Sequence, residues 1–273
     1  MLKGKKIVLG VTGGIAVYKA VDLVSKLRKQ GAEVRVVMTE HAQQFVTPLT
    51  FKEISGNKVA VSMWNANQEF NVEHIALADW ADLFMVVPAT ANIIAKMAYG
   101  IADDLLSTTL LAAHSPVIVC PAMNTHMYEN PATQENIAKI KSRGIVVMPP
   151  ASGVLACGAV GAGRLPEPAD IVNFVKNFFA RTEGDMRGLK VLVTAAGTRE
   201  PIDPVRYVGN RSSGKMGYSI AQAAAERGAE VTLVTGPSAL TPPPNIKVVN
   251  VETTQQMMDA CLAVYDGCDI VIK

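Results

Sequence analysis

Twice in this chain an unbroken apolar run stops at a proline and gives way to small polar residues. Leu83 to Val87 ends at Pro88 and leads into Ala89-Thr90-Ala91-Asn92; Val117 to Cys120 ends at Pro121 and leads into Ala122-Met123-Asn124. Short runs of about 4 or 5 residues with no polar alternation suit a strand covered on both faces, as in a parallel sheet packed between helices. A strand with one wet face would alternate. Polar residues directly after such strands stand at the carboxyl end of the sheet, where open α/β folds bind ligands. Asn124 has two readings there: it meets a ligand, or it caps the next helix, for which its residue type is equally suited.

The amino-terminal stretch supplies the connectivity. Lys5 to Val11 reads as a strand, Thr12-Gly13-Gly14 as a tight turn, Ile15 to Gln30 as an amphipathic helix and Ala32 to Thr39 as a second strand. This order makes a right-handed βαβ unit whose helix N-terminus is a ready anion seat. Gly13-Gly14 is not G-x-G-x-x-G, so the pair either admits a phosphate or only satisfies the turn. The missing fingerprint also counts against a nicotinamide-dependent reductase. Helical segments are expected around His41 to Gln44, Pro48 to Ser55, Ile93 to Tyr99, Asp103 to Ala113 and Pro131 to Arg143, with a last strand over Gly144 to Met148. Pro149 to Leu165 reads as a long Gly/Pro/Ala loop, of a length usual for either a lid or a disordered segment, and it carries Cys157. The helix Pro168 to Ala180 closes a first domain of residues 1–180, and the polar stretch 181–188 reads as a linker.

A second domain, 189–273, repeats the opening grammar: strand Lys190 to Thr194, helix Gly217 to Arg227, strand Glu230 to Thr235. Thr253 to Tyr265 is a further helix, and Asp269 to Ile272 begins a strand. With about three strands and two helices this part is too small for a complete doubly wound domain, and a truncated second domain is expected. The fold class is therefore α/β: a flavodoxin-like or Rossmann-like parallel-sheet domain followed by the amino-terminal part of a second one.

Composition narrows the function classes. The 273 residues carry a formal net charge of +2, and no basic stripe follows one helical face, so a nucleic-acid partner is not expected. The basic start MLKGKK precedes an apolar run that breaks at Gly13-Gly14, too short for a signal or membrane segment, and a cytoplasmic protein is expected. Cys120, Cys157, Cys261 and Cys268 lack C-x-x-C spacing, which disfavours a zinc site or a disulfide framework. Gly209 to Met216 nearly makes a P-loop, but Met216 stands where G-x-x-x-x-G-K-[ST] needs a hydroxyl for magnesium. It remains a Ser/Gly/Lys loop opening a helix, either a phosphate cradle or a solvated cap. The sequon at Asn210 and the S-x-x-K at Ser212 are set aside for want of any secretion signal or partner motifs. Cys157 with His74 as nucleophile and base would make a hydrolase, but no elbow or oxyanion loop accompanies them.

Taken together, Gly13-Gly14 behind the first strand, Pro88 to Asn92, Pro121-Ala122-Met123-Asn124 with Met127, and Ala156-Cys157-Gly158 with Gly163-Arg164 resemble the flavin-containing cysteine decarboxylases of coenzyme A biosynthesis. Thr194 to Gly217 is similar to the phosphopantothenate-cysteine ligases fused behind such decarboxylases in many bacteria. The resemblance spans essentially the whole chain, and the order of motifs is that of the bifunctional proteins. It implies a flavodoxin-like fold that binds FMN and decarboxylates 4'-phosphopantothenoylcysteine to 4'-phosphopantetheine. The thiol-bearing carbon is oxidised to a thioaldehyde, carbon dioxide leaves, and the electrons return, so there is no net oxidation.

Residue by residue, the resemblance implies that His74 is the active-site base and that Cys157, on its lid, donates a proton in the final reduction. A thiol with an ordinary pKa of about 8.5 is a suitable donor at neutral pH. Asn124 holds the substrate carboxylate and amide region, with Met127 and Ala156 beside it. Gly13, Gly14, Thr39, Pro88, Thr90, Asn92 and Ser107 surround the FMN, with no metal in this domain. Relatives often carry a basic residue shortly before the tryptophan of the His74 segment; here Ala78 and Asp79 precede Trp80. In the ligase part CTP and Mg2+ are implied, Asn210 handles the acyl-cytidylate, and Ser212, Ser213, Gly214 and Lys215 form the nucleotide-phosphate loop. The family's later Ala-Ala-Val-Ala-Asp segment and lysine-rich motif fall beyond Lys273, so this chain is expected to decarboxylate but not to ligate. The resemblance further implies FMN sites between the protomers of a trimer, trimers gathered into dodecamers, and ligase parts paired as dimers. A non-catalytic flavin-binding regulator of the same fold is the alternative, against which the presence of both His74 and Cys157 speaks.

Overall fold

The computed structural model describes residues 2–64, 73–154, 160–244 and 246–273. They form two compact units, Met1–Phe174 and Val175–Lys273. The first unit opens with β1 (Lys6–Val11), α1 (Val17–Lys29), β2 (Glu33–Met38), a 3₁₀ turn over Glu40–Gln44, α2 (Pro48–Ser55), β3 (Val59–Ala60) and α3 (Glu73–Trp80). It continues with β4 (Leu83–Ala89), α4 (Ala91–Tyr99), α5 (Leu105–Ala112), β5 (Val117–Pro121), α6 (Thr125–Glu129), α7 (Pro131–Ser142) and β6 (Val146–Val147). Two short strands, β7 (Ala151–Val154) and β8 (Val160–Arg164), precede α8 (Pro168–Glu183), within which the division between the units falls.

The strand order is β3-β2-β1-β4-β5-β6, with every pairing in this sheet parallel. The chain winds one way from β1 to β3 and the other way from β4 to β6, so the order reverses between β1 and β4. That reversal opens a crevice at the carboxyl end of the sheet. The apolar runs behave as expected: all seven residues of β4 are buried, and so are Ile118, Val119 and Cys120 of β5. Each fully buried Val, Leu or Ile contributes about 1.5–3 kcal/mol relative to an exposed one, which fixes these strands as the centre of the core. Helix α1 packs against β2 and β4 and buries Val17, Ala20, Leu23, Val24 and Leu27, the spacing of one helical face, and its basic last turn complements the helix dipole.

Three expectations are corrected. Pro149 to Leu165 is not a plain loop, because β7 and β8 pair antiparallel as a separate hairpin; residues 155–159, including Ala156 and Cys157, lie outside the described residues. Gly153, Gly161 and Gly163 blur the period-2 pattern, which is why composition reads as coil. Helix α8 runs through Glu183, so the polar stretch begins inside a helix rather than in a linker. The second unit holds more strand than expected. It comprises β9 (Lys190–Ala195), β10 (Arg199–Pro201), β11 (Tyr207–Gly209), α9 (Lys215–Glu226), β12 (Glu230–Thr235), β13 (Lys247–Asn250), α10 (Thr254–Tyr265) and β14 (Ile270–Ile272). A parallel sheet ordered β13-β12-β9-β14 packs α9 over Val191, Val193 and Leu233, and β10–β11 is an exposed hairpin.

Candidate functional site

The crevice between β1 and β4 holds a cavity of about 730 Å³, which brings together Gly13, Gly14, Pro88, Thr90, Asn124 and Met127. Six sequence-selected residues thus share one wall system, although they come from three separate strand ends. The volume lies in the range of roughly 300–1,000 Å³ typical of small-molecule sites. Glycine is required at position 13, because a Cβ there would stand 2.5 Å from the Cβ of His41. Gly14 is different: a Cβ would find only Thr90 Cγ2, at 3.9 Å, so its backbone can be approached from the cavity. Helix α1 starts just behind, with no side-chain cap and no acidic residue in its first turn. An uncapped helix N-terminus beside an open glycine can accept an anion such as a phosphate.

Polar residues at the strand ends serve as helix caps as well. Thr90 Oγ1 accepts the Ile93 N–H at 3.5 Å at the start of α4, and Asn124 Oδ1 accepts the His126 N–H at 2.9 Å at the start of α6. Asn124 therefore caps a helix and also lines the cavity, so the cap does not remove it from a ligand's reach. The Val87–Pro88 peptide is cis, and the Pro88 carbonyl accepts a 2.7 Å hydrogen bond from Thr12 Oγ1.

The other expected residues lie elsewhere. Thr39 caps the 3₁₀ turn after β2, accepting the Ala42 N–H at 3.3 Å. Asn92 is exposed in the first turn of α4. Ser107 is buried in a capping box with Asp104 at the start of α5. Lys96 bridges to Asp103 at 2.6 Å and Asp104 at 2.8 Å. Burial works to raise the Asp104 pKa, but the hydrogen bonds from Lys96 and Ser107 outweigh it and hold the carboxyl below its ordinary value. His74 stands on the first turn of α3 and is not among the residues lining the cavity.

Sequence reasoning missed Thr12, Lys19 and Glu167. Lys19 lines the cavity yet is only 8% exposed, its Nζ donating to Leu165 O at 3.3 Å and to Glu167 Oε1 at 2.9 Å. Glu167 also pairs with Arg164, and these hydrogen bonds, led by that from Lys19, draw its pKa below the ordinary glutamate value. Lys19 stands outside the apolar stripe of α1 and reads in sequence as a solvated helical lysine. Cys120, on β5, is fully buried, and burial pushes its thiol up to about 12. Its role is packing.

The second unit places Asn210, Ser212, Ser213, Gly214 and Lys215 on one loop running into α9. Asn210 Oδ1 accepts the Ser212 N–H at 2.9 Å, Ser213 Oγ accepts the Lys215 N–H at 3.5 Å, and Ser238 Oγ donates to Ser213 O at 3.0 Å. Gly214 adopts a left-handed φ of 81° as the N-cap of α9, with no side-chain cap. Gly197 has no room for a Cβ, which would overlap the Asn210 side chain. Lys215 lines a groove of about 370 Å³ with Tyr218, Ser219 and Gln222.

The family model described as Flavoprotein matches residues 1–180, and that described as DNA/pantothenate metabolism flavoprotein C-terminal domain matches residues 186–273. The Coenzyme A biosynthesis bifunctional protein CoaBC of Vibrio vulnificus is 51% identical over 272 residues, covering 100% of this chain and 67% of the relative. The protein of the same name from Bacillus subtilis is 49% identical over 275 residues, covering 100% and 68%. Among solved structures, a cysteine-to-serine mutant of a PPC decarboxylase complexed with pantothenoylaminoethenethiol is 32% identical, with a TM-score of 0.58 over 65% of this chain and 99% of that one. The FMN binding protein AtHal3 is 31% identical, with a TM-score of 0.57 over 65% and 97%.

Proposed function

Since the chain belongs to the Flavoprotein family and to the bifunctional coenzyme A biosynthesis proteins built on it, we propose that its first unit is an FMN-dependent decarboxylase acting on 4'-phosphopantothenoylcysteine. The observation that carries this reading is the convergence of Gly13, Gly14, Pro88, Thr90, Asn124 and Met127 on one cavity at the sheet reversal.

In this reading the amides behind Gly13 and Gly14 take the FMN phosphate, and Pro88 and Thr90 flank the flavin with Thr39, Asn92 and Ser107. When bound, FMN supplies a two-electron acceptor that makes loss of carbon dioxide from the cysteine carboxylate feasible. Asn124 is held by its cap bond to His126 and so presents its amide to the substrate in a fixed orientation, with Met127 and Ala156 as further substrate contacts. His74 removes a proton from the substrate. Cys157 returns one in the final reduction. His74, Asn92 and Ser107 do not line the cavity of one chain, so the reading includes a homo-oligomer, a trimer or trimers gathered into a dodecamer, in which a second copy completes the site. The setting is cytoplasmic. In the second unit Asn210 handles an acyl-cytidylate, and Ser212, Ser213, Gly214 and Lys215 hold CTP phosphates with Mg2+; the chain spans about two thirds of the relatives' length.

The test is Asn124→Asp. Aspartate is as good an N-cap as asparagine, so the helix start survives, while a second carboxylate is set against that of the substrate. The expected result is retained flavin absorbance, a melting temperature near wild type, and loss of carbon dioxide release of at least 100-fold, on the order of 3 kcal/mol. A variant that decarboxylates at the wild-type rate would remove Asn124 from the mechanism, and a wild-type chain that takes up no FMN would remove the function.

A further inference from the structure

The β1–β4 ladder closes at Gly10↔Val86; beyond it the pairing stops, and the turns that follow both strands line the cavity. One buried side chain links them. Thr12, 2% exposed, donates from Oγ1 to Pro88 O at 2.7 Å and accepts the Thr90 N–H at 3.2 Å. Its Oγ1 also lies 3.4 Å from Thr90 Oγ1. Thr12 precedes the glycine turn directly, and Pro88 and Thr90 lie in the cavity wall, so a single hydroxyl ties the glycine turn to the proline turn.

We propose that Thr12 is a positioning residue for the flavin: it sets the width of the crevice where the sheet reverses, without touching the cofactor. This inference rests on the flavin reading above. A ligand seated between two turns must find them at the right separation, and any freedom they have beforehand is lost on binding. The hydroxyl removes that freedom in advance. It also answers one carbonyl and one amide that the end of this ladder leaves without partners in it, and such groups are costly to bury unmet. Valine has the shape of threonine without the hydroxyl, so Thr12→Val keeps the packing and severs the tie. Water drawn in to answer Pro88 O and Thr90 N–H would hold the turns further apart.

The experiment compares full-length wild type, Thr12→Val and Thr12→Ser, following FMN release from the loaded protein by recovery of flavin fluorescence, alongside titration of the flavin-stripped protein with FMN. For Thr12→Val the dissociation constant is expected to rise at least tenfold, with faster release. Thr12→Ser keeps the hydroxyl and is expected within about twofold of wild type, a rescue that a purely steric role at this position would not give. Thr12→Val binding FMN as tightly as wild type overturns the inference, and so does an equal loss in the valine and serine variants. Should Thr12→Val not fold, Thr12→Cys carries the same test, with its weak S–H donor expected to give an intermediate loss and wild-type affinity overturning the proposal. Failure of the wild-type chain to take up FMN overturns the flavin reading itself, an outcome separate from a tight-binding variant.

Discussion

The hairpin β7–β8 rests on the rest of the first unit through a contact that admits only glycine. Gly163 has a φ of 129°, and a Cβ there would overlap the carbonyl oxygen of Met123. Its own carbonyl accepts the Met123 N–H at 2.9 Å, so the arm is docked backbone to backbone against the wall that carries Asn124. In Gly163→Ala the unfavourable φ costs about 1–3 kcal/mol, and loss of the docking hydrogen bond about 1 kcal/mol more. Reduced entropy of the unfolded chain returns about 0.4–1 kcal/mol. The net, about 1–3.6 kcal/mol, falls on the docked state of the arm, because the sheet core makes no use of this contact. It corresponds to a roughly 5- to 400-fold rise in the undocked population.

Trypsin reads this directly. Arg164 is the single Lys or Arg between Pro149 and Leu165, and when opening is fast relative to cleavage the rate follows the open population. Cleavage after Arg164 in the native variant is expected to be at least about fivefold faster than in wild type. Cleavage of the urea-unfolded chains, which corrects for the changed neighbour of the scissile bond, is expected to be nearly equal. The melting temperature is expected to fall by only a few degrees, since the arm can let go without unfolding the sheet. Equal native cleavage rates would refute the reasoning and mean that the main chain around Met123 shifts to accommodate the methyl group.

Two further outcomes follow from electrostatics and burial. The Glu167 carboxyl is drawn below its ordinary value by the Lys19 hydrogen bond first and by Arg164 after it, so its stabilisation is full above the unfolded-state value of roughly 4.3 and is lost as pH falls through the lower folded value. The gap in melting temperature between wild type and Glu167→Gln is accordingly expected to be constant from pH 8 to about 5 and to close in more acidic buffer; a gap unchanged at pH 3 would show that the ion pair is not its source. Cys120, with its thiol pushed up to about 12, is expected to stay unmodified by a thiol reagent at pH 8 in the native protein and to react on unfolding, with peptide mass spectrometry identifying the site.

Much of the architecture could be read because its physics is local. An all-apolar run such as Leu83 to Val87 has few alternatives to a strand covered on both faces, and α1 announces itself through the helical spacing of Val17, Ala20, Leu23, Val24 and Leu27. What escaped depends on partners distant in sequence. Thr12 reads as a turn residue, because its carbonyl and amide partners are 76 and 78 positions away. Lys19 reads as a surface lysine, because the acceptors that make its burial tolerable come from Leu165 and Glu167. The β10–β11 hairpin lies exposed and carries Pro201, so neither burial nor alternation marks it.

The polar residues that follow β2, β4 and β5 share one further property, which makes their residue type ambiguous in sequence. Thr39, Thr90 and Asn124 follow β2, β4 and β5, and each caps the turn or helix that comes next. In a parallel sheet every strand must hand over to a crossover element, and the unpaired N–H groups at the start of that element need an acceptor. The residue that supplies it stands at the carboxyl end of the sheet, where the ligand crevice opens. For Thr90 and Asn124, which also line the cavity, capping is therefore compatible with ligand contact rather than a rival explanation. Capping fixes the side chain through one acceptor atom, and that fixation orients the atoms left for a ligand. For Asn124 this predicts a split between substitutions: aspartate keeps the cap and changes only what faces the cavity, whereas alanine removes both, adding about 1 kcal/mol of lost stability to the lost chemistry.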